Sequence, residues 1–262
     1  MSLTLGSIHI YPIKSLGGFA VEEAHMTDRG FANDRRWMLV DAEGRFISQR
    51  EVPAMACLHC APSPNGFTVT DVRDGDRIKL PWTLDEGEGK RAQVWNDSVD
   101  VLHAPIPMSA WFAEKLGIAC SLVFMPDAAH RPVDATYASG GTSLSDGFPY
   151  LILSQASLDE LNSRLVSPLP MDRFRPNLMI AGGAPFQEDA WKSIAIGAAR
   201  FNLVKPCARC VITTTDQRTG ERGNEPLRTL AGYRHVNGKV LFGINAMGTP
   251  GDVVRVGDLV TL

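Results

Sequence analysis

Short runs of alternating apolar and polar residues predict β-strands throughout the first half of the chain. Such a period of two is typical of strands with one buried face. The predicted strands are residues 7–11, 37–40, 45–48, 67–70, 77–80, 93–95 and 98–102. Gly44, Asp74-Gly75 and Asn96-Asp97 are turn residues between neighbouring strands and predict three hairpins. The first half is therefore expected to be mostly β.

Helical periodicity is confined to two stretches. One helix is predicted after Ser109 and ends at Gly117, which is a helix stop signal. A second helix is predicted from Ser157, because Ser157 and Glu160 have the spacing of a capping box and leucines recur on one face behind them. Pro168 ends this pattern. Helices are thus expected to be the minority.

Strands return towards the end of the chain, at residues 178–180, 199–204, 239–242 and 253–256. Between the two predicted helices, the polar and glycine-rich residues 138–147 are a candidate active-site loop. We therefore predict a β-rich α+β fold with a β-barrel core and a few helices.

Composition limits the functional classes. Of 262 residues, 44% are hydrophobic and 21% are charged, as in a globular protein outside the membrane. The net charge of −3 argues against a general nucleic-acid binder, which needs a basic surface. The N-terminus lacks the pattern of a signal peptide, and no apolar run reaches membrane-spanning length. Five cysteines, an odd number, fit a reducing compartment, so we expect a cytoplasmic protein.

The stretch Cys207-Ala208-Arg209-Cys210 carries the clearest chemical signal. Thiolates bind metals, and a neighbouring cation lowers a thiol's pKa towards that form. Arginine also holds phosphate in a two-pronged geometry. A loop with both groups suits an anionic, metal-carrying cofactor, and the β-branched run behind it, Val211–Thr214, favours an extended backbone. The alternative is a pair of buried structural cysteines beside a surface arginine.

A second cysteine pair, Cys57 and Cys60, leaves a structural zinc site open, because four thiolates in two pairs can bind zinc. The two pairs are much further apart in the sequence than in a zinc ribbon. The chain has no P-loop, GxGxxG, HExxH or GxSxG motif.

Four cations lie beside predicted strand ends, namely Lys14, Arg35, Arg175 and Arg209. Together with a soft thiol they could grip a phosphate while sulfur holds a metal. Each could equally be a solvated charge or an ion-pair partner, for example of Asp34.

Several motifs together resemble the MOSC proteins with an N-terminal MOSC β-barrel domain, the group that contains the mitochondrial amidoxime-reducing component and its bacterial relatives. They are Tyr11-Pro12-Ile13-Lys14-Ser15, Asp34-Arg35-Arg36-Trp37, Phe148-Pro149-Tyr150, Phe174-Arg175-Pro176-Asn177, Cys207-Ala208-Arg209-Cys210 with Thr213-Thr214, and Glu225-Pro226-Leu227 with Tyr233-Arg234. The resemblance implies an N-terminal MOSC β-barrel domain at residues 1–120 and a MOSC domain at 121–262, both contributing to the cofactor site.

The resemblance also implies a molybdenum cofactor of the molybdopterin type, with Cys210 as the protein ligand of the metal. Residues at family positions around the cofactor are Lys14, Ser15, Arg35, Arg175, Asn177, Ala208, Arg209, Cys210 and Asn245. Asp146 matches an acidic position near the metal, so Cys210 and Asp146 are the expected catalytic residues. The resemblance assigns no role to Cys57, Cys60 and Cys120, and that of Cys207 stays open.

The activity implied by the resemblance is reduction of N-hydroxylated compounds (amidoximes, hydroxylamines and N-hydroxy bases) by removal of the oxygen atom. The chain has no cysteine cluster for an iron–sulfur centre, so we expect a separate electron-transfer protein of ferredoxin, flavodoxin or cytochrome type, with its own reductase, as the partner. The alternative is a cofactor-binding or sulfur-carrier module without reductase activity, because MOSC domains also occur fused to cofactor sulfurases.

Overall fold

The structure, a computed structural model, describes residues 2–262 and is rich in strands. The strands of the first half are β1 (Thr4–Ile10), β2 (Phe19–Val21), β3 (Glu23–Thr27), β4 (Gly30–Phe31), β5 (Trp37–Val40), β6 (Leu58–Ser63), β7 (Gly66–Asp71), β8 (Arg77–Pro81), β9 (Glu88–Val94) and β10 (Asp97–His103). Those of the second half are β11 (Ser121–Phe124), β12 (Tyr150–Ser154), β13 (Leu178–Ala181), β14 (Ser193–Ile196), β15 (Ala199–Ala208), β16 (His235–Val236), β17 (Lys239–Gly248), β18 (Val253–Arg255) and β19 (Val260–Thr261).

Helical segments are few and short. The α-helices are α1 (Ile106–Leu116), α2 (Gln155–Ser163) and α3 (Leu227–Ala231), and 3-10 turns occur at Pro53–Cys57, Met171–Arg173, Gln187–Ala190 and Val211–Thr214. This element content confirms the predicted β-rich α+β class. Within residues 2–262 no helix is long and apolar enough to cross a membrane.

The largest sheet joins both ends of the chain. Its order is β19-β14-β15-β17-β12-β13-β1-β2, with β16 beside β17, and only β12 and β13 run parallel. The edge at β19 approaches β1 through an isolated bridge between Leu259 and Thr4. Backbone hydrogen bonds from Leu5 N to Asp258 O, from Gly257 N to Leu5 O and from Val260 N to Leu3 O support this contact. Among residues 2–262 no continuous ladder closes the sheet, so the predicted barrel is not fully closed.

Three smaller sheets complete the architecture, in the orders β5-β11-β10-β9, β6-β7-β8 and β18-β3-β4. Four ladders join strands on the two sides of residue 120, namely β1 with β13, β5 with β11, β10 with β11 and β3 with β18. The division into 1–120 and 121–262 stays a prediction, and in this structure each part lends a strand to a sheet of the other.

Alternating burial along the central strands builds the main core. Ile8, Ile152, Ile180, Phe201 and Ile244 come from five strands of the large sheet and are almost fully buried in one cluster. A period of two places such residues on one face of a sheet, where they exclude water. The core thus fixes the strands whose ends carry the polar residues described below.

The predicted hairpins form, with two corrections. Asp74-Gly75 lies between β7 and β8 as expected, but residues 45–48 make only isolated bridges, from Phe46 to Val40 and from Arg45 to Gln93. In the next hairpin Val94 pairs with Asp97, so the turn residues are Trp95 and Asn96 rather than Asn96-Asp97. Trp95 takes the left-handed conformation, with φ 57°, that this tight turn requires.

Both predicted helices exist, but each begins earlier than predicted. Helix α1 begins at Ile106, because a proline in the first turn is preset for helical φ. Helix α2 is capped by Ser154, whose Oγ accepts a hydrogen bond from Ser157 N at 3.1 Å. Glu160 bonds Arg164 instead, so the predicted capping box of Ser157 and Glu160 is wrong.

Candidate functional site

One cavity collects polar side chains from distant parts of the sequence. It is lined by Lys14, Ser15, Arg35, Arg50, Ser145, Asp146, Gly147, Phe148, Leu151, Phe174, Arg175, Asn177, Cys207, Ala208, Arg209, Cys210, Ile212, Thr213 and Asn245. The ten residues proposed from the sequence are all among them, namely Lys14, Ser15, Arg35, Asp146, Arg175, Asn177, Ala208, Arg209, Cys210 and Asn245. Their meeting in one cavity is observed, while their roles remain proposals.

The loop after β1 places Lys14 at the base of the cavity. Lys14 N donates a hydrogen bond to Trp37 O at 2.8 Å, which fixes the loop against β5. The neighbouring side chains of Ile13 and Leu16 are fully buried in a hydrophobic cluster. Lys14 is therefore held by apolar anchors on both sides, and only 4% of its side chain is exposed.

Lys14, Asp146 and Arg50 form an ion cluster. Lys14 Nζ lies 2.5 Å from Asp146 Oδ1, and Arg50 Nη2 lies 3.1 Å from Asp146 Oδ2. The Asp146 carboxylate keeps 57% of its side-chain surface exposed, whereas both cations are largely covered. Asp146 belongs to the predicted glycine-rich loop, which therefore does reach the cavity.

Burial and charge set the ionisation of this cluster. Burial lowers the pKa of Lys14 to about 8, although Asp146 partly opposes the shift. Desolvation by itself would raise the pKa of Asp146, but the charges of Lys14 and Arg50 outweigh it and hold that pKa well below its usual range. Asp146 is therefore ionised at neutral pH, while Lys14 is a weaker base than an exposed lysine.

Two arginines of the cavity stack on the ring of Tyr11. The guanidinium carbons of Arg35 and Arg175 each lie 4.4 Å from the centre of its ring. Its hydroxyl donates a hydrogen bond to Pro176 O at 3.2 Å, and its backbone N donates one to Asp34 Oδ1 at 2.8 Å. Burial raises the pKa of Tyr11 to about 12, so the ring is a neutral platform for both cations.

Arg35 is further held by Asp34 and Asn177. Its Nη1 donates to Asp34 Oδ2 at 2.6 Å and to Asn177 Oδ1 at 2.8 Å. Asn177 Nδ2 in turn donates to His9 O at 3.1 Å. The expected ion pair between Asp34 and Arg35 is thus present, and it orients an arginine that still lines the cavity.

Three cavity residues take a strained backbone conformation. Ser15, Arg35 and Arg175 have φ values of 69°, 48° and 56°, in the left-handed region that residues other than glycine rarely adopt. Such strain is typically concentrated at functional sites, where the surrounding structure enforces it. Their clustering around one cavity supports its assignment as the functional site.

The two thiols lie at the irregular end of β15, Cys207 within the strand and Cys210 just after it. The register of β15 against β17 shifts at two points, before Lys205 and before Ala208, so the strand is bulged as it enters the cavity. Asn245 Nδ2 donates to Lys205 O at 3.1 Å across one of these shifts. Cys207 and Cys210 are half-buried, and both line the cavity.

Two expectations about this segment are wrong. Val211–Thr214 form a 3-10 turn rather than an extended strand, because Thr213 N and Thr213 Oγ1 both donate to Cys210 O. Arg209 Nη1 lies 2.9 Å from Cys207 Sγ and its Nη2 donates to Phe174 O, so its charge accompanies Cys207, not Cys210.

Arg50 is a further cation of the cavity, which sequence reasoning missed. Burial lowers the pKa of Arg50, but Asp146 and then Cys210 outweigh it and raise that pKa. Arg50 lies two residues beyond the predicted strand 45–48 but in no family motif, and only tertiary structure brings it to the cavity that holds the thiols. A further missed residue is Gln49, whose Nε2 donates to Ser15 O at 2.7 Å.

The four-cysteine zinc alternative is not supported. No group of three or more His, Cys, Asp or Glu side chains converges in residues 2–262 in a way that could hold a metal ion. Cys57 and Cys60 are buried, and burial raises the pKa of Cys60 to about 12. A thiol in that state is a core residue rather than a metal ligand.

The donor set fits an anionic cofactor that carries a metal. Five cations line the cavity, Lys14, Arg35, Arg50, Arg175 and Arg209, against Asp146 as the acid. Arg50 Nη1 and Arg209 Nε are buried without a hydrogen-bond partner in the described part of the chain. Unsatisfied buried donors are costly, so these atoms favour an acceptor-rich ligand such as a phosphate. Cys210 adds a soft metal ligand.

Comparison with known proteins agrees with this chemistry. Residues 140–261 match the MOSC domain and residues 2–119 the MOSC N-terminal beta barrel domain. Over 99% of this chain and 82% of the mouse protein, the sequence is 31% identical to mitochondrial amidoxime-reducing component 1, and the human protein is 29% identical over the same shares. A molybdenum cofactor sulfurase of rice is 33% identical over 92% of this chain, which spans about a third (32%) of that protein.

Proposed function

Because this chain belongs to the family of MOSC-domain proteins with an N-terminal MOSC β-barrel domain, we propose that it is a molybdenum-cofactor-dependent reductase of N-hydroxylated compounds. The observation that carries the proposal is the convergence of five cations, one ionised carboxylate and a thiol in a single cavity. The cofactor is suggested by the relative named as a molybdenum cofactor sulfurase and the reaction by the relatives named as amidoxime-reducing components.

In this proposal the arginines bind the anionic part of the cofactor. Arg35 and Arg175 are stacked on Tyr11 with their guanidinium groups in the cavity, and Lys14 adds a third positive charge. Charge-assisted hydrogen bonds from such groups suit a phosphate dianion. Cys210 would provide the thiolate for molybdenum, and when bound the cofactor would supply a metal that can exchange two electrons.

The reaction consumes two electrons and two protons, because an N-hydroxyl group leaves as water and an N–H bond replaces the N–O bond. Asp146 is ionised and its carboxylate faces the cavity, so it suits an acceptor for a substrate N–H group. Lys14, with a pKa of about 8, is the better proton donor to the leaving oxygen at neutral pH. The proposal thus names a residue that orients the substrate and a residue that supplies a proton.

The electrons require a donor protein in this proposal. We propose a separate ferredoxin-, flavodoxin- or cytochrome-like protein with its own reductase. Sustained turnover with the purified chain and a pyridine nucleotide alone would contradict this part.

A second candidate is a cofactor-binding or sulfur-carrier module. It is favoured by the match to cofactor sulfurases and by the position of Cys207, whose Sγ lies in the cavity 2.9 Å from Arg209 Nη1. This candidate predicts a persulfide on Cys207 or Cys210, which intact-mass spectrometry of the purified protein would detect.

The decisive experiment compares Cys210→Ser with Cys207→Ser, both produced in cells that synthesise the molybdenum cofactor. We expect near-stoichiometric molybdenum in the wild-type protein and at least a tenfold (about 1.4 kcal/mol) loss of reductase activity in Cys210→Ser, because serine is a poor ligand for a soft metal. Molybdenum is measured by elemental analysis, and activity by reduction of benzamidoxime with dithionite as the electron source.

Cys207→Ser is the matched control, since it lines the same cavity but is not the proposed ligand. It should keep most of the molybdenum and activity. Full activity in Cys210→Ser would overturn the ligand assignment, whereas a loaded wild-type protein that reduces no N-hydroxylated compound would overturn the reductase.

A further inference from the structure

Two exposed aromatic side chains stand out at the edge of the cavity. Among the large hydrophobic residues that are exposed in the described part of the chain, the aromatic ones are Trp95 and Tyr137, each 43% exposed. The others are aliphatic. Both aromatic residues lie one side chain away from the cavity lining, through Arg50 and Phe148 respectively.

Trp95 is held rigidly at the tip of the β9–β10 hairpin. Its ring packs 5.0 Å from Phe46 between ring centres, and the Arg50 guanidinium lies 4.6 Å from it. Its left-handed backbone, with φ 57°, is unfavourable for a bulky residue and is imposed by the turn. A strained, exposed tryptophan beside a functional cavity is a candidate for ligand contact rather than for packing.

Tyr137 is built in a similar way on another part of the rim. Its ring contacts Phe148 edge to face at 6.3 Å, and Lys205 Nζ lies 4.0 Å from the ring centre. Asp134 accepts a backbone hydrogen bond from Tyr137 N and pairs with Lys205 at 3.7 Å. The ring is thus fixed by one aromatic and one cation, as is the ring of Trp95.

Arg131 connects the hairpin of Trp95 to the loop of Asp146. Its Nε donates to Asp97 at 2.8 Å, and its Nη1 donates to Ser143 O at 3.1 Å and Ser145 O at 2.6 Å. Arg131 is only 3% exposed. The hairpin tip therefore has a fixed place beside the carboxylate that the proposed reaction uses.

We propose that Trp95 and Tyr137 form an aromatic rim that selects substrates whose N-hydroxylated group is carried by a planar aromatic ring, as the N-hydroxyamidine of benzamidoxime is. Pre-fixed aromatic faces bind planar groups with little loss of side-chain entropy, and each stacking contact adds affinity. The inference rests on the proposed function and adds a substrate class to it. Aliphatic N-hydroxylated compounds would reach the cavity without this contact.

The test is the dissociation constant of acetamidoxime divided by that of benzamidoxime. Both constants are measured by titration calorimetry on the molybdenum-loaded protein. The two compounds share the N-hydroxyamidine group and differ in the aromatic ring. We expect wild-type protein to favour benzamidoxime by about tenfold, and Trp95→Leu and Tyr137→Leu each to lower this ratio severalfold.

Trp111→Leu is the matched control. Trp111 is also a partly exposed tryptophan beside an aromatic and a cation, Phe112 and Lys115, but it lies on α1 and does not neighbour the cavity lining. Its ratio should equal that of the wild type. Molybdenum content and melting temperature confirm that each variant is folded and loaded.

A ratio near one in the wild type, or a high ratio that survives both rim substitutions, would overturn the inference. Equal weakening of both ligands would also overturn it, because that result indicates loss of structure rather than loss of selectivity. Turnover is measured separately on the same samples. If the protein shows the expected ratios of dissociation constants but reduces neither compound, the proposed reaction is refuted. The binding preference assigned to the aromatic rim would still hold.

Discussion

At the scale of single residues, Lys14 shows that a buried positive charge in the cavity lowers the stability of the cofactor-free protein. Its ammonium is nearly completely buried, and Asp146 compensates only in part for the lost hydration. A buried cation with a lowered pKa is destabilising until an anion arrives to pair with it. This is the expected state of a binding residue whose anionic ligand completes the charge balance.

The lowered pKa of Lys14 predicts a pH-dependent stability. The folded pKa is about 8 against 10.5 for the unfolded chain, so the unfolded state binds more protons between these values. The free energy of unfolding of cofactor-free protein should therefore rise with pH through this window, by up to about 3 kcal/mol from this residue. Urea unfolding at several pH values measures it.

Lys14→Met isolates this contribution, because the other titrating groups are common to both proteins. The difference in unfolding free energy between variant and wild type should shrink as pH rises from 8 towards 10.5, and cofactor retention should be lost at neutral pH. A difference that is independent of pH would contradict the assignment.

Residue-scale patterns in the sequence located most of the cavity. The lysine, arginines and thiols that family motifs mark do line it, because their positions at strand ends follow from local patterns. Arg50 could not be found in this way. No family motif includes Arg50, and its place in the same cavity as Cys210 depends on tertiary packing.

At the scale of elements, hydrogen bonds from side chains decide where helices and turns begin. The β-branched run after Cys210 has strand propensity, yet hydrogen bonds from Thr213 to Cys210 O shape it into a 3-10 turn. Helix α2 likewise begins after Ser154, a cap that the capping-box pattern did not select. The helical pattern predicted that α2 exists but not where it begins, whereas strand propensity predicted the wrong element after Cys210.

The cap of α2 gives a prediction at this scale. Ser154 Oγ accepts from Ser157 N and donates to the buried carboxylate of Glu188 at 2.9 Å. Ser154→Ala should lower the free energy of unfolding by about 1–3 kcal/mol, because it removes a cap and a partner of a buried acid. Chemical denaturation measures the loss.

Glu160→Ala is the comparison that separates the two capping assignments, because alanine can make no capping-box hydrogen bond. Glu160 pairs with Arg164 on the surface, where such pairs contribute about 0.5 kcal/mol or less. A loss in Glu160→Ala as large as that in Ser154→Ala would restore the capping box that the sequence pattern suggested.

At the scale of the whole molecule, early and late segments are joined by a buried amide pair. Gln49 Nε2 donates to Gln217 Oε1, and Gln217 Nε2 donates to Gln49 Oε1, both at 3.2 Å. Arg222 adds a contact to Arg50 O at 3.2 Å. The segment behind Cys210 is thus fastened to the segment that carries Arg50.

This pair predicts energetic coupling between the two parts of the chain. Gln49→Met and Gln217→Met should each cost about 1–3 kcal/mol, because each leaves the buried side-chain oxygen of the remaining glutamine without its donor. The double variant should cost less than the sum by at least about 0.5 kcal/mol. A double-mutant cycle by urea unfolding measures this, and strictly additive losses would show that the halves are stabilised independently.

The sequence alone determined the strand-rich class, the main strands and most of the residues that line the cavity. These follow from alternating burial, from turn residues and from motifs that are local in the chain. Only the tertiary structure decided that Arg50 faces Cys210, that Arg209 faces Cys207, and that Trp95 and Tyr137 stand at the rim. Those contacts depend on how segments far apart in the sequence pack together, and local sequence patterns do not predict such packing.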